Sequence, residues 1–186
     1  DINTDSLGFC YSVVEGCMDD INAFNYNDYT GDNITDIVTG INGVDVNTDD
    51  GSCFPFVAGC MDQTAYNYND YDYDGEANEL TNIDGTDINT DDGSCFSVVY
   101  GCMNDPSAFN YNDYSGNDSS NVITGTPGID VNTDDGSCFA ILEGCLDGAA
   151  FNFNDYDNDG NSNGVTGISG LDVNTEDFSC IAIIDG

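Results

Sequence analysis

A Gly-Cys dipeptide returns at residues 16–17, 59–60, 101–102 and 144–145, so the chain repeats itself every 42 or 43 residues. Such a period marks small modules stacked in series, each touching only its neighbours. Each unit reads Gly-Cys-Met or Gly-Cys-Leu, then Ala-aromatic-Asn-aromatic-Asn-Asp-Tyr, then a variable polar stretch. Asp-Val/Ile-Asn-Thr-Asp-Asp-Gly-Ser-Cys and an apolar run close it, with some degeneracy in the last copy. The runs occupy residues 54–58, 96–100, 139–142 and 181–184. One short run per module cannot enclose a core, so covalent staples, bound ions and neighbouring modules must complete the fold. The runs are β-branched and bounded by Gly, which predicts short strands; the acidic stretches, rich in Gly, Asn and Asp, predict long loops. Asp105-Pro106-Ser107-Ala108 predicts a single capped helical turn ahead of the Asn-Tyr-Asn core.

The expected fold class is therefore mainly β and irregular, a linear tandem array of small modules stapled by disulfides and calcium. Residues 1–15 read as the tail of a preceding repeat, with Asp1-Ile2-Asn3-Thr4-Asp5, then Cys10, then an apolar stretch from Tyr11. Repeats follow at 16–58, 59–100, 101–143 and 144–186, where Gly186 aligns with Gly59, so a stretch of a longer array, or a subunit cut at these points, is expected. A second period of 85 residues overlies the first. Repeats two and four carry Asp-x-Asp-x-Asp-Gly from Asp70 and from Asp155, where repeats one and three carry Asp28-Tyr29-Thr30-Gly31-Asp32-Asn33 and Asp113-Tyr114-Ser115-Gly116-Asn117-Asp118.

Charge decides which partners are open to such an array. The chain holds 36 acidic residues and no Lys, Arg or His, a net charge of −36. No carboxylate has an internal counter-ion, and self-repulsion opposes a compact state. Disorder would follow, except that 9 Cys, 10 Phe and 11 Tyr, with acids at fixed offsets from Gly and Cys, do not fit a disordered acidic tail. Bound cations are the remaining way to neutralise the carboxylates. Nucleic acid is excluded for want of a basic surface. Membrane insertion is not expected either, since no apolar run approaches the roughly 18 residues needed. Nine Cys in small modules point to an oxidising compartment, extracellular or at the cell surface.

Asp70, Asp72 and Asp74, and likewise Asp155, Asp157 and Asp159, place carboxylates at alternate positions of a tight loop, the spacing with which oxygen ligands converge on calcium. The Glu that would close an EF-hand is replaced by Thr81 and Thr166, so these are not EF-hands; the loops resemble the acidic calcium loops of thrombospondin type 3 repeats. A second candidate ligand set recurs in all four modules: Asp45, Asn47, Asp49 and Asp50; Asp87, Asn89, Asp91 and Asp92; Asp130, Asn132, Asp134 and Asp135; and Asp172, Asn174, Glu176 and Asp177. Asn25 and Asn27 with their equivalents Asn67, Asn69, Asn110, Asn112, Asn152 and Asn154 could complete a shell, or form turns through side-chain to backbone bonds.

Gly-Cys-Met-Asp-x-x-Ala-Tyr/Phe-Asn-Tyr-Asn followed by Asp-Asp-Gly-Ser-Cys resembles the short cysteine repeats found in tandem in large secreted surface proteins of aquatic bacteria. The resemblance covers all four repeats, though the stretch between the two motifs is longer here. It implies a cell-surface or matrix role and no catalytic activity.

Two disulfide schemes fit the cysteine spacing. Pairing within the unit joins Cys17–Cys53, Cys60–Cys95, Cys102–Cys138 and Cys145–Cys180 and leaves Cys10 over; pairing across the short gap joins Cys10–Cys17 and its copies and leaves Cys180 over. An extended run across that gap spans roughly 23 Å, beyond disulfide reach, which favours the first scheme. Zinc is disfavoured because Cys-x-x-Cys and His are absent. Sequons at Asn33 and Asn117 mark candidate glycosylation sites in repeats one and three. Four copies of one carboxylate set suit structure better than catalysis, so no enzyme activity is expected. The expected role is a calcium-stabilised fibre, stalk or surface filament with self-association head to tail. The alternatives are a calcium-dependent adhesin that holds glycans and an acidic matrix protein that binds mineral.

Overall fold

A computed structural model describes residues 10–184, and the expected tail segment at residues 1–9 and the terminal Gly186 lie outside the described residues. No helix occurs among the described residues. Eight two-residue strands pair in parallel as four separate sheets. β1 (Glu15–Gly16) pairs with β2 (Thr48–Asp49), β3 (Ala58–Gly59) with β4 (Thr90–Asp91), β5 (Tyr100–Gly101) with β6 (Thr133–Asp134), and β7 (Glu143–Gly144) with β8 (Thr175–Glu176). Ala58–Gly59 and Tyr100–Gly101 take in the last residue of their runs, Glu143–Gly144 follows its run, and each pairs with the Thr-Asp or Thr-Glu segment of the module that follows. Each run therefore completes the module after it. The chain divides into two compact units, one ending at Cys95 and the other beginning at Phe96, a boundary that falls just before such a run.

Each module closes on a disulfide. Cys17–Cys53, Cys60–Cys95, Cys102–Cys138 and Cys145–Cys180 are bonded with Cα separations of 4.6–4.8 Å, and Cys10 is free and exposed. The buried apolar set of a module is small: in module one it is Cys17, Ala23 and Val46, and the same three positions recur in the others. The Gly before each first cysteine makes this packing possible. A Cβ at Gly59 would stand 2.7 Å from Ile88 Cδ1, and at Gly101 2.9 Å from Val131 Cγ2. Burying one Val and one Ala contributes only a few kcal/mol. A disulfide closing a 35- or 36-residue loop contributes roughly 4 kcal/mol on the chain-entropy model. The staple outweighs the core.

Polar side chains fill the rest of the interior. Eight Asn, two per module, are each at most 8% exposed. The helical turn expected at Asp105–Ala108 is instead a lone turn closed by one i→i+3 bond, Ala108 N–H to Asp105 O at 3.0 Å, and it recurs from Asp20, Asp62 and Asp147. It delivers the chain into the Ala-aromatic-Asn-aromatic-Asn segment with both Asn side chains facing inward.

Candidate functional site

The first Asn of each pair fixes the second cysteine. Asn25 Nδ2 donates to Ser52 O at 2.9 Å, and its Oδ1 accepts from Phe54 N–H at 3.1 Å, so the amide grips the backbone on both sides of Cys53. Asn110 and Asn152 do the same around Cys138 and Cys180. The second Asn holds the buried aliphatic. Asn27, Asn69, Asn112 and Asn154 accept from the backbone N–H of Val46, Ile88, Val131 and Val173 at 2.8–2.9 Å. All four lie in the left-handed region, φ 53–56°, which Asn tolerates better than most residues.

A third amide clamps the apolar run. Asn47 accepts from Val14 N–H at 3.1 Å and donates to Ser12 O at 2.9 Å. Asn89, Asn132 and Asn174 repeat both bonds on Val57 and Pro55, on Val99 and Ser97, and on Leu142 and Ala140. The side-chain amide mimics a strand partner and extends each two-residue sheet. These Asn, expected from the sequence as calcium ligands, spend both ends of the amide on backbone.

The acids beside them are also dispersed. Asp45, Asp87, Asp130 and Asp172 turn toward a Thr-Gly or Thr-Asn pair six residues earlier and accept its backbone N–H groups. Asp49, Asp134 and Glu176 accept from Met18, Met103 and Leu146 N–H. Asp91 accepts from Gly93 N–H instead. Asp50, Asp92, Asp135 and Asp177 cap the turn at the second cysteine through Ser52, Ser94, Ser137 and Ser179 N–H. The structure does not gather this second set around one point. Its signal was nonetheless in the sequence: Thr39, Thr81, Thr124 and Thr166 each stand six residues before their Asp, inside the stretch that reads as variable.

Asp172 shows what these turns do to a carboxyl group. The Thr166 backbone N–H, then the Asn154 amide and the Gly167 N–H, hold its pKa down at about 2 against an ordinary value of 3.8. A carboxyl depressed in the folded state contributes stability above its unfolded pKa and loses it as pH falls through the folded value. The Thr166–Asp172 turn should hold down to pH 4 and open between about pH 4 and pH 2. Titration of the Thr166 and Gly167 amide shifts by NMR should give a midpoint near 2; a midpoint near 4 would show that these bonds do not form in solution.

The acids that do converge are the two triads. One carboxylate oxygen from each of Asp70, Asp72 and Asp74 lies within 4.8 Å of the others, and Asp155, Asp157 and Asp159 match them. The first Asp anchors the loop. Asp70 accepts from Asp74 and Gly75 N–H at 3.1 and 2.9 Å, and Asp155 from Asp159 and Gly160 N–H at 3.0 and 2.8 Å. Modules one and three, whose sequences look different here, adopt the same loop: Asp28 accepts from Asp32 and Asn33 N–H, and Asp113 from Asn117 and Asp118 N–H. All four loops are left-handed at the third and fifth positions after the anchor: Gly31 and Asn33, Tyr73 and Gly75, Gly116 and Asp118, Asn158 and Gly160. The 85-residue alternation exchanges side chains on one backbone. Where modules two and four have Asp72 and Asp157, modules one and three have Thr30 and Ser115, whose hydroxyls donate to the anchor carboxylate.

Three clustered carboxylates with no internal cation suit a hard, oxygen-preferring metal ion, and calcium is compatible with that donor set. Comparison with protein-family models, with curated proteins and with solved structures gave no match. No helix among the described residues is long and apolar enough to cross a membrane. The sequons sit in the loops of modules one and three, one position out of step: Asn33 occupies the place of Asp118, and Asn117 that of Asp32. Both Asn are exposed, and Ser119 Oγ donates to Asn117 Oδ1 at 2.6 Å.

Proposed function

We propose that the chain is a structural segment of an extracellular fibre, stalk or surface filament whose modules are stiffened by calcium. The observation that carries this is the sharing of an apolar run between the two modules of each unit. In the first unit, Phe54 stacks on Phe24 of one module at 5.8 Å, while a Cβ at Gly85 in the next would lie 2.9 Å from Pro55 Cδ. In the second, Phe139 stacks on Phe109 at the same distance and lies against Gly170. Modules one and two, and modules three and four, meet through the same contact, which favours serial transmission of load over a unique site. The disulfides support an oxidising, extracellular setting. Calcium on the two triads offsets part of the self-repulsion, and head-to-tail association of copies would continue the same serial geometry. Asn33 and Asn117 are the positions for attached glycans.

Electron microscopy of the purified protein in calcium should show unbranched filaments, and compact non-associating particles would count against the fibre. Calorimetry with and without chelator tests the ion separately. The melting temperature should fall on chelation, and Asp72→Asn with Asp157→Asn should remove most of that dependence; an unchanged melt in chelator counts against calcium alone. The adhesin reading has one observation in its favour. Tyr73 and Phe178 are 75% and 90% exposed and sit at φ 61° and 63°, in turn positions where other modules use Gly or Asn. Loss of surface adhesion by Tyr73→Gly and Phe178→Gly, with filaments intact, would favour it.

A further inference from the structure

Both units carry a cleft on the equivalent aromatic pair. In the first, the Phe24 and Phe54 rings, tilted by 35°, form the floor beneath Ile34 and Ile83, and the exposed Asp32 and Asp84 stand at the rim of a space of about 480 Å³. In the second, Phe109 and Phe139, tilted by 34°, form the floor beside Ile168, with Asp118 at the rim of about 240 Å³. Phe24 and Phe109, Phe54 and Phe139, and Ile83 and Ile168 are each 85 residues apart, so the cleft belongs to the two-module unit. It is open at the sequon loop of the first module and at the turn that holds Asp87 or Asp172 in the second.

We propose that each cleft takes a lysine or arginine side chain from a basic protein partner. The ring faces and the rim carboxylates are both electronegative, and a cation held over an aromatic face gains from both. An aliphatic stem would lie along Ile34 and Ile83, with the charged head over the rings and within reach of the Asp32 and Asp84 carboxylates. Nothing on this chain can supply that head, since it has no Lys, Arg or His; a second copy is excluded for the same reason. Calcium gains nothing from the rings, which have no oxygen ligands to offer. The inner carboxylates Asp87 and Asp172 spend both oxygens on their turns, so recognition falls to Asp84 and to Asp32, which accepts from Ile34 N–H through Oδ1 only, in the first cleft and to Asp118 in the second. There the Asp118 carboxylate also accepts from Ser169 Oγ across the mouth at 3.4 Å, in keeping with the smaller space.

The test uses the full chain with calcium at about 0.15 M salt, where long-range attraction is screened beyond roughly 8 Å. A deca-lysine peptide, its fully acetylated form and a neutral disaccharide are titrated while the Phe ring signals are followed by NMR. The lysine peptide should shift the Phe24, Phe54, Phe109 and Phe139 rings saturably, and the other two should not. Asp84→Asn, an exposed change, should weaken the response at Phe24 and Phe54 about threefold. Asp32→Asn with Asp84→Asn should weaken it at least tenfold, and both variants should leave Phe109 and Phe139 unaffected. Shifts confined to the acidic loops, or ring shifts as large with the acetylated peptide or the disaccharide, would overturn the proposal.

Discussion

Replacing Asn69 with alanine should destabilise the second module by about 3 kcal/mol. Asn69 is 1% exposed, accepts from Ile88 N–H at 2.8 Å and donates toward Glu79 O and Asp87 Oδ1. Alanine leaves the buried Ile88 N–H without its partner, which costs roughly 1–3 kcal/mol. It also puts a residue without a compensating side chain at φ 53°, which costs roughly 1–2 kcal/mol more. Asn69→Gly separates the two parts, because glycine restores the backbone freedom but not the hydrogen bond. Denaturant unfolding should rank the proteins wild type, glycine variant, alanine variant, and exchange of the Ile88 amide should speed up in both variants. A loss below about 0.5 kcal/mol for alanine would mean that the amide is not a structural hub.

Removing the second staple should cost about as much. With Cys60 and Cys95 both changed to serine, the 35-residue loop regains its chain entropy, roughly 4 kcal/mol on the loop-closure model. The module has little to set against that loss, since its buried apolar set is Ala65 and Ile88 beside the cysteine. The expected result is a first unfolding transition confined to the second module. Modules three and four, which form a separate compact unit, should melt close to their original temperature. A single transition at an unchanged temperature would show that stacking, rather than the disulfide, holds the module.

The periodicity, the acid triads and the polar loops were legible in the sequence because each is a matter of local spacing. Asp70, Asp72 and Asp74 converge through one tight loop, and no distant residue is needed to bring them together. The Asp45–Asp50 stretch has similar alternation and a different outcome. Its neighbours in space are the Thr39–Gly40 turn, the backbone of Ser12 and Val14, and Met18 N–H, and sequence spacing does not show which of these comes within 3 Å. The apolar runs illustrate the same limit. Their β-branched character predicted strands, yet Ala58–Gly59 and Tyr100–Gly101 take in only the last residue of a run and Glu143–Gly144 follows its run, because the backbone before them bonds the Asn89, Asn132 and Asn174 amides instead.

By itself the sequence determined the modular repeat, the absence of any internal cation and the acid triads of modules two and four. Only the tertiary structure decided what the amides do. An Asn side chain has one acceptor and one donor group, equally suited to a metal, a turn or a strand. The disulfide brings Cys17 and Cys53 to a Cα separation of 4.7 Å, and that closure sets Val14 against Asn47, 33 residues away, where the amide completes a strand. The Phe24–Phe54 floor has the same origin, since the two rings meet only after the staple has closed their module.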